Sequence, residues 1–472
     1  MSARLRALLA LAWWAGFYGL GLALTSALLW VPWAQATYSR QLSAAGVISG
    51  VLGLTVAWAL RPRFAPKDEP TRSLERSRAP ALFAFVEDLA RRTGARVPAE
   101  LRLTLEATAF TGLERRGFFK RVPTMTLGLP LLMWMKQDEL AAVVAHEFGH
   151  HVGHDVTLGP LVYRTRLALA AAIGQLDDSM FFLDVPFRAY GKLYLRLTAS
   201  VSRAQELSAD ALSAKVAGAT AARNALRLVH ENGPLWQTYF QLDVMPLLQR
   251  GLRVPVLAGY RALPEPRALR ASFRGVMESL RHSEPSPWDT HPTQEQRLSA
   301  LPQGEGRLSA SAPALRLLGD DERALETMVM ETTFSVDLQG LQELSWNELG
   351  PRLVEDFDQA LERTVLAKHT EVAALPVLLA DAESLSDQLS TGTRFMSREA
   401  RRRDAASWLV QWLTVRLARR GYEARWSPGV GMVLVKGNES LVASELIDGL
   451  ESGQVTAAAW AARWPALLRL DP

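Results

Sequence analysis

The 472-residue chain contains no cysteine. That absence excludes disulfides and thiolate zinc sites, and it fits a reducing compartment. No internal repeat and no nucleic-acid motif is present. The basic balance, 53 Lys and Arg against 49 Asp and Glu with a pI near 9.4, therefore makes no case for nucleic acid. Much of the basic excess flanks apolar runs, where anionic lipid headgroups are the simpler partner. Histidine is scarce too. Yet four of the eight, His146, His150, His151 and His154, fall within nine residues.

Charge is missing altogether from residues 7–31, 25 positions long, enough for a tilted membrane span. A second uncharged run, 44–60, sits at the short end of the spanning range. Trp13, Trp14, Trp30, Trp33 and Trp58 lie near the ends of these runs, as interfacial aromatics do. Arg4 and Arg6 precede the first run, and Arg61, Arg63, Lys67, Arg72, Arg76 and Arg78 follow the second; only Arg40 lies between. The positive-inside rule then predicts a transmembrane hairpin over 1–65, both ends cytoplasmic, making a multi-pass protein of the inner (cytoplasmic) membrane. An A-x-A triplet at Ala34–Ala36 resembles a signal-peptidase site, but the apolar stretch before it is too long for an ordinary signal. Cleavage there would still leave the main body cytoplasmic.

Residues 61–80 read as a Pro-, Arg- and Ser-rich linker. Periodicity predicts a helix over 80–92 with Phe83, Val86 and Leu89 on one face. Strands are expected at 101–106 and 118–128, then a helix over 137–153 opened by Asp138 and Glu139. Helical pattern continues from 156 to about 330, and the longest uncharged run near its start, 167–176, is too short to span. Beyond 331 the composition turns acidic, with an Arg-rich helix start at 398–403 and a strand pair at 421–437. The expected fold is mainly α with a small β-sheet, divided into 1–65, a central α+β domain over 66–330 and an α/β accessory region over 331–472.

The chemistry sits in "LAAVVAHEFGHHVGHD" at 140–155. His146 and His150, at i and i+4, share one helical face and can converge on one zinc ion. Glu147 is rotated to the side, placed to take a proton from water rather than to ligate; this is the H-E-x-x-H arrangement. The flanks are Ala, Val and Phe, so imidazoles without partners would be buried at a cost that a cation removes. His154 lies eight residues from His146, about 12 Å along the axis, too far to share the ion. A longer zincin pattern would put its third ligand at Val156, which cannot serve. His151 points away from the first pair. "SRAQELSAD" at 202–210 supplies Glu206 as third ligand, with Asp210 on the same helical face to accept a hydrogen bond from a ligand histidine and fix its tautomer.

These two segments, followed by "DTHPTQEQRL" at 289–298, resemble the three signatures of the HtpX-like and CAAX prenyl protease family of gluzincin metallopeptidases. The resemblance covers roughly 80–330. It implies a zincin-type domain holding one zinc through His146, His150 and Glu206, with Glu147 as general base. It also places His291 and Arg297 near the site, His291 assisting the tetrahedral intermediate. Family members generally carry two further apolar segments between the histidine and glutamate helices; here that interval contains charges from Arg164 to Arg196. The expectation is a membrane-anchored zinc metalloendopeptidase acting on polypeptides, with membrane-protein quality control as its role. The alternatives are a dedicated processing protease whose 331–472 region selects a partner, and a non-catalytic membrane adaptor or chaperone. Oligomeric state is not legible.

Overall fold

The structure, a computed structural model, describes residues 3–60, 71–116, 120–150, 152, 184–265, 268–269, 271–281, 292–303, 311–319, 322–334, 338–391, 393 and 396–464. It is mostly helical with small sheets. His151, His154 and His291 lie outside the described residues, as does most of the interval between the two motif helices. The chain forms two compact units, one of 1–233 with 282–335, the other of 234–281 with 336–472.

The first unit opens with helices α1 (Ala3–Ala34, continued as a π-turn over Gln35–Ser39) and α2 (Ala44–Leu60). They pack on each other through small residues: a Cβ on Gly53 would lie 3.0 Å from the Leu29 side chain. Ser49 Oγ donates to Leu28 O at 2.7 Å. One helical stretch, Ala12–Ser39, is long and apolar enough to cross a membrane; Ala44–Trp58 is shorter.

A four-stranded sheet follows, ordered β1-β2-β4-β3: β1 (Arg72–Leu74), β2 (Glu100–Thr104), β3 (Ala109–Arg116) and β4 (Lys120–Gly128). β2 and β4 are parallel, with Glu100 opposite Thr124, and β3 is antiparallel to β4, with Ala109 opposite Leu127. The expected strand over 118–128 is β4, and it lies inside the sheet. β3 takes the edge. Leu101, Leu103, Met125 and Leu127 are buried, together with Leu82 and Leu89 of α3 (Pro80–Thr93) and Leu140, Val144 and Phe148 of α5 (Gln137–Gly149). The short helix α4 (Leu129–Trp134) links β4 to α5. A 34-residue helix, α6 (Asp184–Ala217), packs along α5.

The second unit holds one hydrophobic core running from Leu247 to Trp464. Helices Trp346–Glu362 and Arg398–Arg419 pack beside an antiparallel sheet of β7 (Glu423–Ser427), β8 (Gly431–Lys436) and β9 (Glu439–Val442). Two short strands, β5 (Leu252–Arg253) and β6 (Gln342–Glu343), pair in parallel across its two chain segments. The buried Asp243 carboxylate accepts from Gly429 N at 3.0 Å, and Trp346 Nε1 donates to Pro255 O at 2.9 Å. Residues 234–281, grouped by sequence with the central domain, thus pack in this unit. A cut near residue 330 would bare Leu247, Leu252 and Val254.

Candidate metal centre

Helix α5 begins with its own charges. Glu139 Oε2 accepts from Lys136 N at 2.9 Å, satisfying a terminal donor, and Asp138 and Glu139 sit in the first turn, where a helix favours acids. The far end of the helix comes earlier than its periodicity suggested. α5 stops at Gly149, and His150 is its C-cap, still with helical backbone angles (φ −67°, ψ −16°), so it stays in register with His146.

Their ring nitrogens converge. His146 Nε2 lies 3.2 Å from His150 Nε2. Glu206 of α6 places Oε2 at 3.5 Å from His146 Nε2 and Oε1 at 3.8 Å from His150 Nε2. Ligands held tetrahedrally at zinc bond lengths are separated by about 3.3 Å, so this N, N, O set fits one zinc ion. His146, Glu147 and His150 also offer donor atoms within 4.8 Å of one another. Glu206 matches the ligand spacing more closely, because its two oxygens face both imidazoles.

Behind His146, Asp210 Oδ1 lies 2.9 Å from Nδ1, which leaves Nε2 to face inward. Arg297, on the helix Gln294–Ala300, grips Asp210 with Nε at 2.8 Å and Nη2 at 2.6 Å, and its Nη1 lies 3.7 Å from Glu206 Oε2. Thr293 caps that helix through Gln296 N at 3.2 Å. The structure therefore brings together His146, Glu147, His150, Glu206, Asp210 and Arg297.

Packing of α5 on α6 makes this possible. Ser213 Oγ donates to Ala142 O at 2.8 Å in the buried contact. A Cβ on Gly149 would come within 2.9 Å of Ala209 Cα, which is backbone and cannot swing aside. Gly149→Val should cost about 1–3 kcal/mol by overpacking and weaken zinc binding by displacing Glu206. Thermal melting and zinc titration check this; unchanged values would mean that α6 does not need the close approach.

The charges interact strongly. Burial alone would lower the His146 pKa, but the Asp210 and Glu206 hydrogen bonds outweigh it and hold the group at about 9. Burial pushes Glu147 up to about 7, with His146 pulling the other way. Burial would also raise Asp210, yet Arg297 and His146 keep it below the usual carboxylate range. A cation entering the site must displace the His146 proton, so zinc affinity should rise about tenfold per pH unit below pH 9. In chelated protein the His146 contribution to stability is complete below about pH 6.5 and is lost as pH rises through about 9. Calorimetric melts with and without chelator across that window check the sign.

β3 escaped the sequence reading, and it lies at the site. Thr111 Oγ1 approaches Glu147 O at 3.5 Å, so the edge strand runs beside the turn that carries Glu147. Its outer edge has no strand partner among the described residues.

Residues 77–304 match the sequence model of Peptidase family M48. The matched segment contains every residue of the metal centre. Among curated proteins the chain is similar to Protease HtpX of Pseudomonas fluorescens (strain Pf0-1), 32% identical over 171 residues, covering 32% of this chain and 57% of the relative. It is also similar to a Protease HtpX homolog of Thermoplasma volcanium, 27% identical over 213 residues, covering 42% of this chain and 66% of the relative. A third, a Protease HtpX homolog of Sulfurovum sp. (strain NBC37-1), is 26% identical over 197 residues, covering 37% of this chain and 69% of the relative. The chain thus spans under two thirds of the length of the first two.

Proposed function

We propose that this protein is a membrane-anchored zinc metalloendopeptidase that hydrolyses peptide bonds of polypeptide substrates on the cytoplasmic side. The observation that carries the reading is the convergence of His146 Nε2, His150 Nε2 and the Glu206 carboxylate at 3.2–3.8 Å, with Glu147 beside them. His146, His150 and Glu206 would hold one zinc ion. When bound, zinc supplies Lewis acidity towards the scissile carbonyl and the attacking water.

The chain's own groups do the rest. Glu147, beside the two imidazoles, takes the proton of the attacking water and delivers it to the leaving amine. Asp210 fixes the His146 tautomer, and Arg297 holds Asp210 in turn while compensating the negative charge of Glu206. A substrate strand adds to the open edge of β3 through backbone hydrogen bonds, which recognise extended chain more than sequence. That mode suits damaged or misfolded membrane proteins, and so quality control. His291 enters this scheme through the family resemblance, as a donor to the oxyanion.

Anchoring is supported by the surface of the helical hairpin. Leu22, Trp30, Trp33, Ile48, Leu54 and Trp58 are all more than half exposed, an apolar surface that suits lipid. With the basic flanks, this supports two spans and a cytoplasmic body.

Casein digestion by the purified protein tests the activity. Cleavage should stop with a zinc chelator and return with added zinc. Cleavage that persists after the metal has been shown to be removed would contradict the reading.

A further inference from the structure

The helix that carries Glu206 extends well past the metal centre. At 34 residues α6 is about 51 Å long, and its first half lies against α1. Tyr190 Oη donates to Trp13 O at 2.7 Å. The Tyr190 ring stands 5.2 Å from Trp13 and 5.9 Å from Phe17. Phe17 and Tyr194 are fully buried. Gly16 makes the room, since a Cβ there would lie 2.5 Å from Tyr190 Oη. Trp13, Gly16 and Phe17 all belong to the start of Ala12–Ser39, the stretch long enough to cross a bilayer.

Sixteen residues separate Tyr190 from Glu206, about 24 Å along one uninterrupted helix. A helix of that length is a rod, whereas a flexible linker would leave the separation open. We propose that α6 joins the bilayer anchor to the metal-binding carboxylate as one rigid strut, so that the site acts on polypeptide tails emerging from the same membrane, at a scissile bond no more than about 24 Å from its surface. This rests on the anchored-peptidase reading above. An extended chain covers about 3.3 Å per residue, so roughly seven residues bring a bond from the bilayer edge to the site. Tethered tails of that length stay concentrated in the layer that the site samples, and longer ones dilute as their span grows with the square root of length.

The test uses the full chain in vesicles of phosphatidylethanolamine and phosphatidylglycerol. Single-span reporters present a casein segment after Gly/Ser spacers of 3, 8, 20 or 40 residues. Cleavage should appear by the 8-residue spacer and fall about twofold by 40 residues. Tyr190→Ala, which removes the docking contact, should move the onset to 20 residues or more while casein in detergent is cut at the parent rate. Gly16→Leu, from the anchor side of the same contact, should do the same. Parent protein that cuts casein but needs 20 residues or more overturns the strut, and so does an onset that neither variant moves. Failure to cut casein counts against the peptidase reading instead. A nitroxide at Leu193→Cys then decides the strut alone. It should be quenched by oxygen more than by an aqueous nickel chelate, with the reverse at Ala204→Cys; aqueous quenching at both positions overturns the proposal.

Discussion

Glu147→Gln is expected to lower peptidase activity by about 10²–10⁴-fold, the range for loss of a general base. Zinc content and Tm should stay close to those of the parent. The substitution keeps side-chain volume and most hydrogen-bonding capacity but removes the proton acceptor. Glu147 is not among the three groups whose mutual spacing fits the ion, so the N, N, O set survives. Burial pushes its carboxyl up towards neutrality in the metal-free site, the direction that makes a carboxylate a better proton acceptor. Substrate complexes should persist in the variant and be recoverable by mass spectrometry. Wild-type turnover by Glu147→Gln, measured on casein at pH 7, would remove Glu147 from the mechanism whatever became of the metal.

Glu206→Ala should release zinc, weakening affinity by more than the 10–100-fold typical of losing a supporting residue. Two imidazoles alone leave the set without its carboxylate. The loss also leaves Arg297, whose Nη1 lies 3.7 Å from Glu206 Oε2, facing His146 with only Asp210 to balance it. Zinc retention after dialysis, read by metal analysis, checks this. Stoichiometric zinc in Glu206→Ala would show that another group, with Glu147 the nearest candidate, completes the set.

The helices and buried strands were legible in the sequence because burial imposes a period. Helix 80–92 and the buried β2 and β4 follow from Phe83, Val86, Leu101, Leu103, Met125 and Leu127, which must all face inward. β3 was not legible. Its residues "AFTGLERR" carry the polar, glycine-interrupted composition of an edge strand, which has one neighbour and little core to declare itself. β1, three residues inside an apparent linker, offered too short a pattern. The metal centre was easier to find, since i, i+4 spacing is a local property of one helix. The pairing of Asp210 with His146 also follows from spacing, four residues after Glu206 on the same face. Arg297 is different: it arrives from another helix, and only the fold shows that it clamps Asp210 and approaches Glu206. The packing of 234–281 with 336–472 is likewise a tertiary fact, carried by contacts such as Asp243 with Gly429 that no local pattern encodes.

X-ray absorption at the zinc edge of the purified protein tests the assignment of His146, His150 and Glu206 as the ligands. One zinc per chain is expected, with two imidazole nitrogens at about 2.0–2.1 Å and oxygen ligands at about 2.0–2.2 Å. The imidazole signal should be lost together with the metal in a His146→Ala, His150→Ala double variant. A protein that binds no zinc when zinc is supplied, or a spectrum unchanged in the double variant, would contradict the account.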